Sequence, residues 1–324
     1  MHAVNSNNNL VNMTDATAER QGRGLFSPKP SGSFGSGDDD DVMMFISRIS
    51  SNGPRRSVFG QSSALGNHFT DFRNPDEPTR IIYNVGFSTV IVAGFARDTD
   101  LECAVKVISK AKLSTPREVQ QARVEIRIHS LLNHPQIVPV VGCEENNDAF
   151  FLVTPFTSDG DLFQATQHKT LYETEVRNLA TQLLSALSFV HRQRIVYGDF
   201  KPHNVLLFLD GDSYIAQLCD FGFAEHLNDE GFIKFRALRG TQGYFAPELL
   251  QEEIDYNCKV DVFALGVTLF TLLAGYAPYY PAHNFAEPPD LQSESEKRYW
   301  GPISDECKDL IMRMIAVDPE QRIS

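Results

Sequence analysis

The chain has 324 residues, 42% of them apolar, and carries a formal net charge of −13 at pH 7. That length accommodates a large two-part domain plus a tail, and the apolar content indicates a globular protein. The acidic balance argues against general affinity for nucleic acid or anionic membrane. The five cysteines, scattered and without metal-ligand spacing, read as reduced thiols of an intracellular protein.

In chain order, the start at Met1-His2-Ala3 has no basic region before an apolar core, so neither a secretory signal nor a myristoylation glycine is expected. Residues 1–78 read as a disordered tail. They hold Asn5 to Asn9, the Ser/Gly run from Ser31 to Gly37 and the acidic block Asp38 to Asp41, which bury too little apolar surface to offset chain entropy. Within the tail, Val42-Met43-Met44-Phe45-Ile46 is read as a chance cluster, in preference to a docking peptide for an unidentified tail-binding partner. From Ile81 the pattern changes. Apolar runs at Ile81–Val85, Val90–Phe95 and Cys103–Ile108 predict three strands, and a helical period runs from Arg117 to Leu132. Two more strands are expected at Val138–Val141 and Ala149–Val153. Beyond Asp161 helices dominate, at Leu171–Arg192, Val260–Ala277 and Asp305–Ala316. Within the second, the stretch Val262 to Ala277 is apolar enough to evoke a membrane span, but it is short and abuts Asp261 and Lys259, so a buried helix is expected.

Three blocks carry the chemistry. Tyr197-Gly198-Asp199-Phe200-Lys201-Pro202-His203-Asn204 precedes the apolar run Val205-Leu206-Leu207. Asp220-Phe221-Gly222 follows a turn at Asp210-Gly211-Asp212 and a short strand. Gly240-Thr241-Gln242-Gly243-Tyr244-Phe245-Ala246-Pro247-Glu248 comes third. In this register the chain resembles the catalytic core of a eukaryotic-type protein kinase over about residues 80 to 324. The resemblance implies an α+β, bilobal fold: a small five-stranded antiparallel sheet with one helix (about 79–154) and a larger, mostly helical lobe (about 158–324). It also implies ATP and Mg2+ as cofactors and a protein substrate.

The resemblance gives Asp199 the role of orienting the substrate hydroxyl, and makes Asn204 and Asp220 the magnesium ligands. Lys106, in Cys103-Ala104-Val105-Lys106-Val107, would contact the phosphates and pair with Glu125 of the helix. A solvated helix face remains the alternative for Glu125. Lys201 and Thr241 match the serine/threonine branch. Glu248 and Arg322 would form a structural ion pair, and Asp261 would brace the catalytic loop. For the nucleotide, Thr154 falls at the gatekeeper position, and the Pro155 carbonyl and Thr157 backbone at the hinge. Val90, Ala104 and Leu206 would sandwich the base, with Ile82, Val85 and Asp161 completing the set.

Several positions depart from the family pattern. Tyr83, Val85 and Ser88 stand where loop glycines are expected, and only Gly86 remains, one position out of register. Tyr197 replaces the usual histidine, and Gly198 replaces the arginine that receives an activation-segment phosphate. Phe223 to Arg239 holds no serine, threonine or tyrosine, so receiver and acceptor are absent together. His129 falls where a packing aliphatic is usual and reads either as a buried neutral histidine or as a half-exposed helix residue. Cys219, next to Asp220, is either a reactive pocket thiol or a buried inert one. The sequence stops at Asp318-Pro319-Glu320-Gln321-Arg322-Ile323-Ser324, where such kinases continue into one more helix, so either the sequence is truncated or that helix is missing. The block from Thr241 to Glu248 and this ending are similar to those of calcium/calmodulin-kinase-type groups. The leading expectation is an active serine/threonine kinase, and the alternative is a pseudokinase acting as a binding scaffold.

Overall fold

A computed structural model describes residues 81–85, 88–95, 102–167, 169–211, 213–234, 240–251, 255–279, 285 and 289–324, with backbone alone for the first two strands. The expected tail at 1–78, Gly86 and Phe87 of the loop, and residues 235–239 lie outside the described residues.

The apolar runs separated by polar turns become antiparallel strands β1 (Ile81–Val85), β2 (Ser88–Phe95) and β3 (Glu102–Ser109). With β4 (Gly142–Glu145) and β5 (Ala149–Pro155) they form a five-stranded sheet in the order β1-β2-β3-β5-β4. Helix α1 (Pro116–Leu131) crosses between β3 and β4 in the chain. It begins one residue earlier than its period predicts, because Thr115 and Glu118 form a reciprocal capping box and Pro116 fills the first turn. Its buried positions, Ala122, Glu125, Ile128 and His129, recur at three- and four-residue spacing and define one inward face.

One strand is displaced from its predicted position. Residues 138–141 are not a strand, and β4 starts at Gly142. Pro139 has no amide hydrogen to offer a ladder. Val138 is instead tied to the large lobe, its amide donating to the Leu218 carbonyl at 2.9 Å while the Leu218 amide donates to Gln136 at 2.9 Å.

The large lobe contains α2 (Leu162–Thr166), α3 (Glu173–Arg192), α4 (Lys259–Ala274), α5 (Lys297–Trp300) and α6 (Asp305–Met314). Two small antiparallel pairs join them, β6 (Ile195–Val196) with β9 (Glu225–His226) and β7 (Val205–Asp210) with β8 (Ser213–Leu218). Together these elements make the expected α+β architecture, a five-stranded antiparallel sheet with one helix and a larger, mostly helical part.

Helix α4 explains the sequence's most apolar run. All of its residues except Lys259 and Thr271 are buried, so it is apolar all round because it is surrounded by protein. No described helix is long and apolar enough to cross a membrane. Gly266 lets α4 approach α6: a Cβ there would lie 2.7 Å from Met314 Cβ and 2.8 Å from Ile315 Cγ2. Gly266→Ala is therefore expected to destabilise the protein by about 1–2 kcal/mol, because overpacking outweighs the gain in helix propensity. Thermal denaturation checks this, and a raised melting temperature would show that the two helices separate freely.

Candidate active site

The site begins with Lys106, placed in the middle of β3 opposite Val90 of β2 and Leu152 of β5. Its Nζ lies 2.6 Å from Glu125 Oε1 and 2.9 Å from Asp220 Oδ1, uniting β3, α1 and the segment after β8. Glu125 is buried, which removes the solvated-face reading. Burial by itself would depress the Lys106 pKa, but the Asp220 and Glu125 carboxylates more than offset it and hold the ammonium charged. The same ammonium overrides the effect of burial on Asp220 and keeps that carboxyl below its ordinary range. Asp220 has φ +56°, a left-handed conformation uncommon outside glycine. The Gly222 amide donates to its Oδ1 at 3.2 Å, and Gln121 Nε2 of α1 donates to the Gly222 carbonyl at 3.0 Å. Sequence reasoning missed Gln121, whose only signal is its place one helical turn before Glu125.

A second cluster forms around Asp199, on the loop between β6 and β7. Lys201 Nζ lies 2.8 Å from Asp199 Oδ2 and donates to Thr241 Oγ1 at 2.6 Å, while the Thr241 hydroxyl donates to Asp199 Oδ1 at 2.7 Å. Asn204 Nδ2 donates to the Asp199 backbone carbonyl at 2.9 Å and to Oδ2 at 3.0 Å. The structure thus brings Asp199, Lys201, Asn204 and Thr241 into one hydrogen-bonded group. Asp261, at the start of α4, holds this loop from below. It accepts from the amides of Tyr197 and Gly198, both at 2.8 Å, and from His191 Nε2 at 2.8 Å.

Tyr197 is fully buried and its hydroxyl donates to the Cys219 carbonyl. Its ring meets Phe221 edge-on at 5.1 Å, and Phe221 lies 4.7 Å from the imidazole of His129. Between the two readings of His129 the structure selects the buried one, with only 2% of the residue exposed. Burial pushes its pKa down to about 4, which keeps it neutral. Cys219 is only partly buried, and desolvation by its surroundings raises its thiol above the ordinary range, which disfavours the thiolate.

The residues expected at the nucleotide are spread over β1, β2, β3, β5, the segment that follows β5, and β7. Ala104 pairs with Thr154 across β3 and β5, and Cys103 pairs with Pro155. The Phe156 amide donates to the Glu102 carbonyl at 2.8 Å, and Thr157 Oγ1 donates to the Leu207 carbonyl at 2.7 Å, fastening the connection to β7. Leu206 of β7 bridges to Asp161. Asp161 itself caps α2, accepting from the Gln164 amide at 2.7 Å, and burial lifts its carboxyl to about 6. Ile82 and Val85 lie on β1 and Val90 on β2, where the backbone alone is described. Tyr83 pairs with Val90 and Val85 with Ser88, so these non-glycine positions are ladder residues of a hairpin. Glu248 and Arg322 face each other in a bidentate pair at 2.6 and 2.9 Å.

A family model described as the protein kinase domain matches residues 85–324. The phosphorylase b kinase gamma catalytic chain, liver/testis isoform, of Bos taurus is 36% identical over 257 residues, covering 74% of this chain and 61% of the relative. The same isoform of Mus musculus is 37% identical over 272 residues, covering 78% and 65%. A serine/threonine-protein kinase of Drosophila melanogaster is 35% identical over 263 residues, covering 79% of this chain and 34% of that protein. The chain therefore spans less than two thirds of the length of these relatives. A match over this much of the chain shows that it belongs to the protein kinase domain family.

Proposed function

We propose that this chain is an active serine/threonine protein kinase that transfers the γ-phosphoryl group of ATP to hydroxyls of protein substrates inside the cell. Residues 79–324 form the catalytic unit and 1–78 an appended tail. The observation that carries the proposal is the pair of connected clusters, Glu125–Lys106–Asp220 and Asp199–Lys201–Thr241, each closed by charged contacts under 3 Å.

In this reading Asp199 accepts the hydrogen bond of the incoming hydroxyl and orients its oxygen for in-line attack. Lys201, already beside Asp199 and Thr241, offsets negative charge on the transferred group and on its acceptor. Lys106, kept protonated by two carboxylates, is the cation for the nucleotide phosphates. Asp220 and Asn204 supply carboxylate and amide oxygens, a hard donor set that fits magnesium, which when bound neutralises triphosphate charge. Thr154, Pro155 and Thr157 hold the adenine edge, with Ile82, Val85, Val90, Ala104, Asp161 and Leu206 around the base and ribose. The phenylalanine ring of Phe163 stacks on His203 at 3.9 Å, so a substrate residue meeting position 203 finds an aromatic platform.

Activity in this reading needs no activation-segment phosphate. Gly198 has φ +82°, and a Cβ there would meet the Phe223 carbonyl at 2.8 Å, so this position is filled by backbone. No hydroxyl acceptor lies between Phe223 and Arg239. The scaffold reading draws on the non-glycine residues Tyr83 and Val85 in the β1–β2 hairpin. Phosphate transfer from magnesium-ATP to mixed serine, threonine and tyrosine peptides separates the two. Incorporation confined to serine and threonine peptides, and persisting after phosphatase treatment, is expected. A folded protein that transfers nothing would establish the scaffold reading.

A further inference from the structure

The inward face of α1 carries two polar side chains one turn apart. Glu125 is explained by its contact with Lys106. His129, four residues on, touches neither cluster directly, yet it is 2% exposed and its Nε2 lies 2.8 Å from the Val138 carbonyl. Its other ring nitrogen, Nδ1, is buried without a hydrogen-bond partner. Because a carbonyl only accepts, Nε2 must carry the proton, and the tautomer is fixed. A leucine would fill this space without burying an unpaired polar nitrogen. What the imidazole has and a leucine lacks is one directional bond, from the last turn of α1 to Val138.

Val138 is not an arbitrary acceptor. Its own amide donates to the Leu218 carbonyl at 2.9 Å, and Leu218, whose amide donates to Gln136 at 2.9 Å, stands two residues before Asp220. The ring of His129 also rests 4.7 Å from that of Phe221, immediately after Asp220. His129 therefore ties the helix that carries Glu125 to the backbone that carries Asp220, while Lys106 bridges the two carboxylates from the sheet. With a helix radius of about 5–6 Å, a turn of α1 by some 20° about its axis would carry the Glu125 carboxylate about 2 Å, enough to break its contact with Lys106.

We infer that His129 is a positioning residue: through its Nε2–H bond to the Val138 carbonyl it sets the rotation of α1 and so holds Glu125 on Lys106 and Lys106 on Asp220. Its catalytic consequence rests on the kinase reading above, but the geometric claim stands without it.

The test uses the full chain with His129→Leu and His129→Met, which fill the core without a donor, and His129→Gln, whose amide N–H reaches about as far as Nε2. The donor-free variants are expected to melt close to the parent, yet to lose about tenfold in kcat/KM for ATP, mostly through a raised KM. His129→Gln should recover most of that loss. A donor-free variant with parental kcat/KM, or a glutamine variant as impaired as the leucine one, would overturn the inference. Hydrogen–deuterium exchange of residues 122–131 in nucleotide-free protein gives the second readout. Faster exchange in the leucine and methionine variants but not in the glutamine variant is expected, and equal exchange in all would overturn it. Exchange is readable in a protein that transfers no phosphate, so failure of the kinase reading and failure of this inference are told apart.

Discussion

Asp199→Asn is expected to lower kcat for phosphate transfer by roughly 10²–10⁴-fold, the range for loss of a positioned acid–base group, while leaving the ATP KM nearly unchanged. The substitution keeps the side chain's shape but turns one acceptor oxygen into a donor. Asp199 Oδ2 now receives Lys201 and Asn204, and Oδ1 receives the Thr241 hydroxyl, so an amide nitrogen at either place faces a donor instead of an acceptor. The incoming hydroxyl loses its acceptor in the same step. Lys106 and Asp220, which this reading assigns to the nucleotide, keep their mutual contact at 2.9 Å, and this is why the loss belongs in kcat. Steady-state kinetics on matched preparations decide the matter. An Asp199→Asn variant retaining activity within about threefold of the parent would remove Asp199 from the acid–base role.

Arg322→Ala is expected to be the most destabilising single change among those considered, by about 3–5 kcal/mol, with a melting temperature lowered by roughly 10 °C. The Arg322 side chain is fully buried and donates to both oxygens of Glu248. It also donates to the backbone carbonyls of Ala316 at 3.0 Å and Lys259 at 2.9 Å. Truncation leaves the Glu248 carboxylate, itself 6% exposed, as an unpaired charge in the protein interior, together with carbonyls that lose their donor. Arg322→Lys should fall between the two, because a point-like ammonium cannot make the paired bonds of a guanidinium. The segment from Gly240 to Glu248 carries Thr241, so activity should fall at temperatures well below the global melt. Differential scanning calorimetry and activity after graded heating measure both effects. An alanine variant melting within about 2 °C of the parent would show that the pair contributes orientation and little stability.

Much of the candidate site's arrangement was legible in the chain because its signals are local. The run from Tyr197 to Asn204 places Asp199, Lys201 and Asn204 within six residues, and the turn and 3-10 geometry that joins them is short-range. The apolar character of α4 marks a buried helix by itself, since no amphipathic face is left for solvent. The α1 start is written in Thr115-Pro116 and Glu118, a cap whose bonds all lie within three residues. The glycine-poor run from Tyr83 to Ser88 already announced a loop unlike the family's, and pairing places Tyr83, Asn84, Val85 and Ser88 in the ladder between β1 and β2.

The remaining features depend on partners far away in the chain, and no local pattern contains them. Val138–Val141 has strand composition, yet Val138 bonds to Leu218, 80 residues on, in preference to the sheet. Whether Glu125 faces solvent or Lys106, and whether His129 is buried, turns on how α1 rolls against β3, Val138 and Phe221, which helical periodicity alone leaves open because both residues share one face. Gln121 gained its role only when α1 met the Gly222 carbonyl, 101 residues later in the chain. The sequence by itself thus determined the family resemblance, the two-lobe plan and the identity of the charged groups, because these reside in short contiguous blocks and in periodic burial. Tertiary structure alone decided which of those groups meet, since a salt bridge spanning 114 residues, as between Lys106 and Asp220, is set by the packing of whole elements.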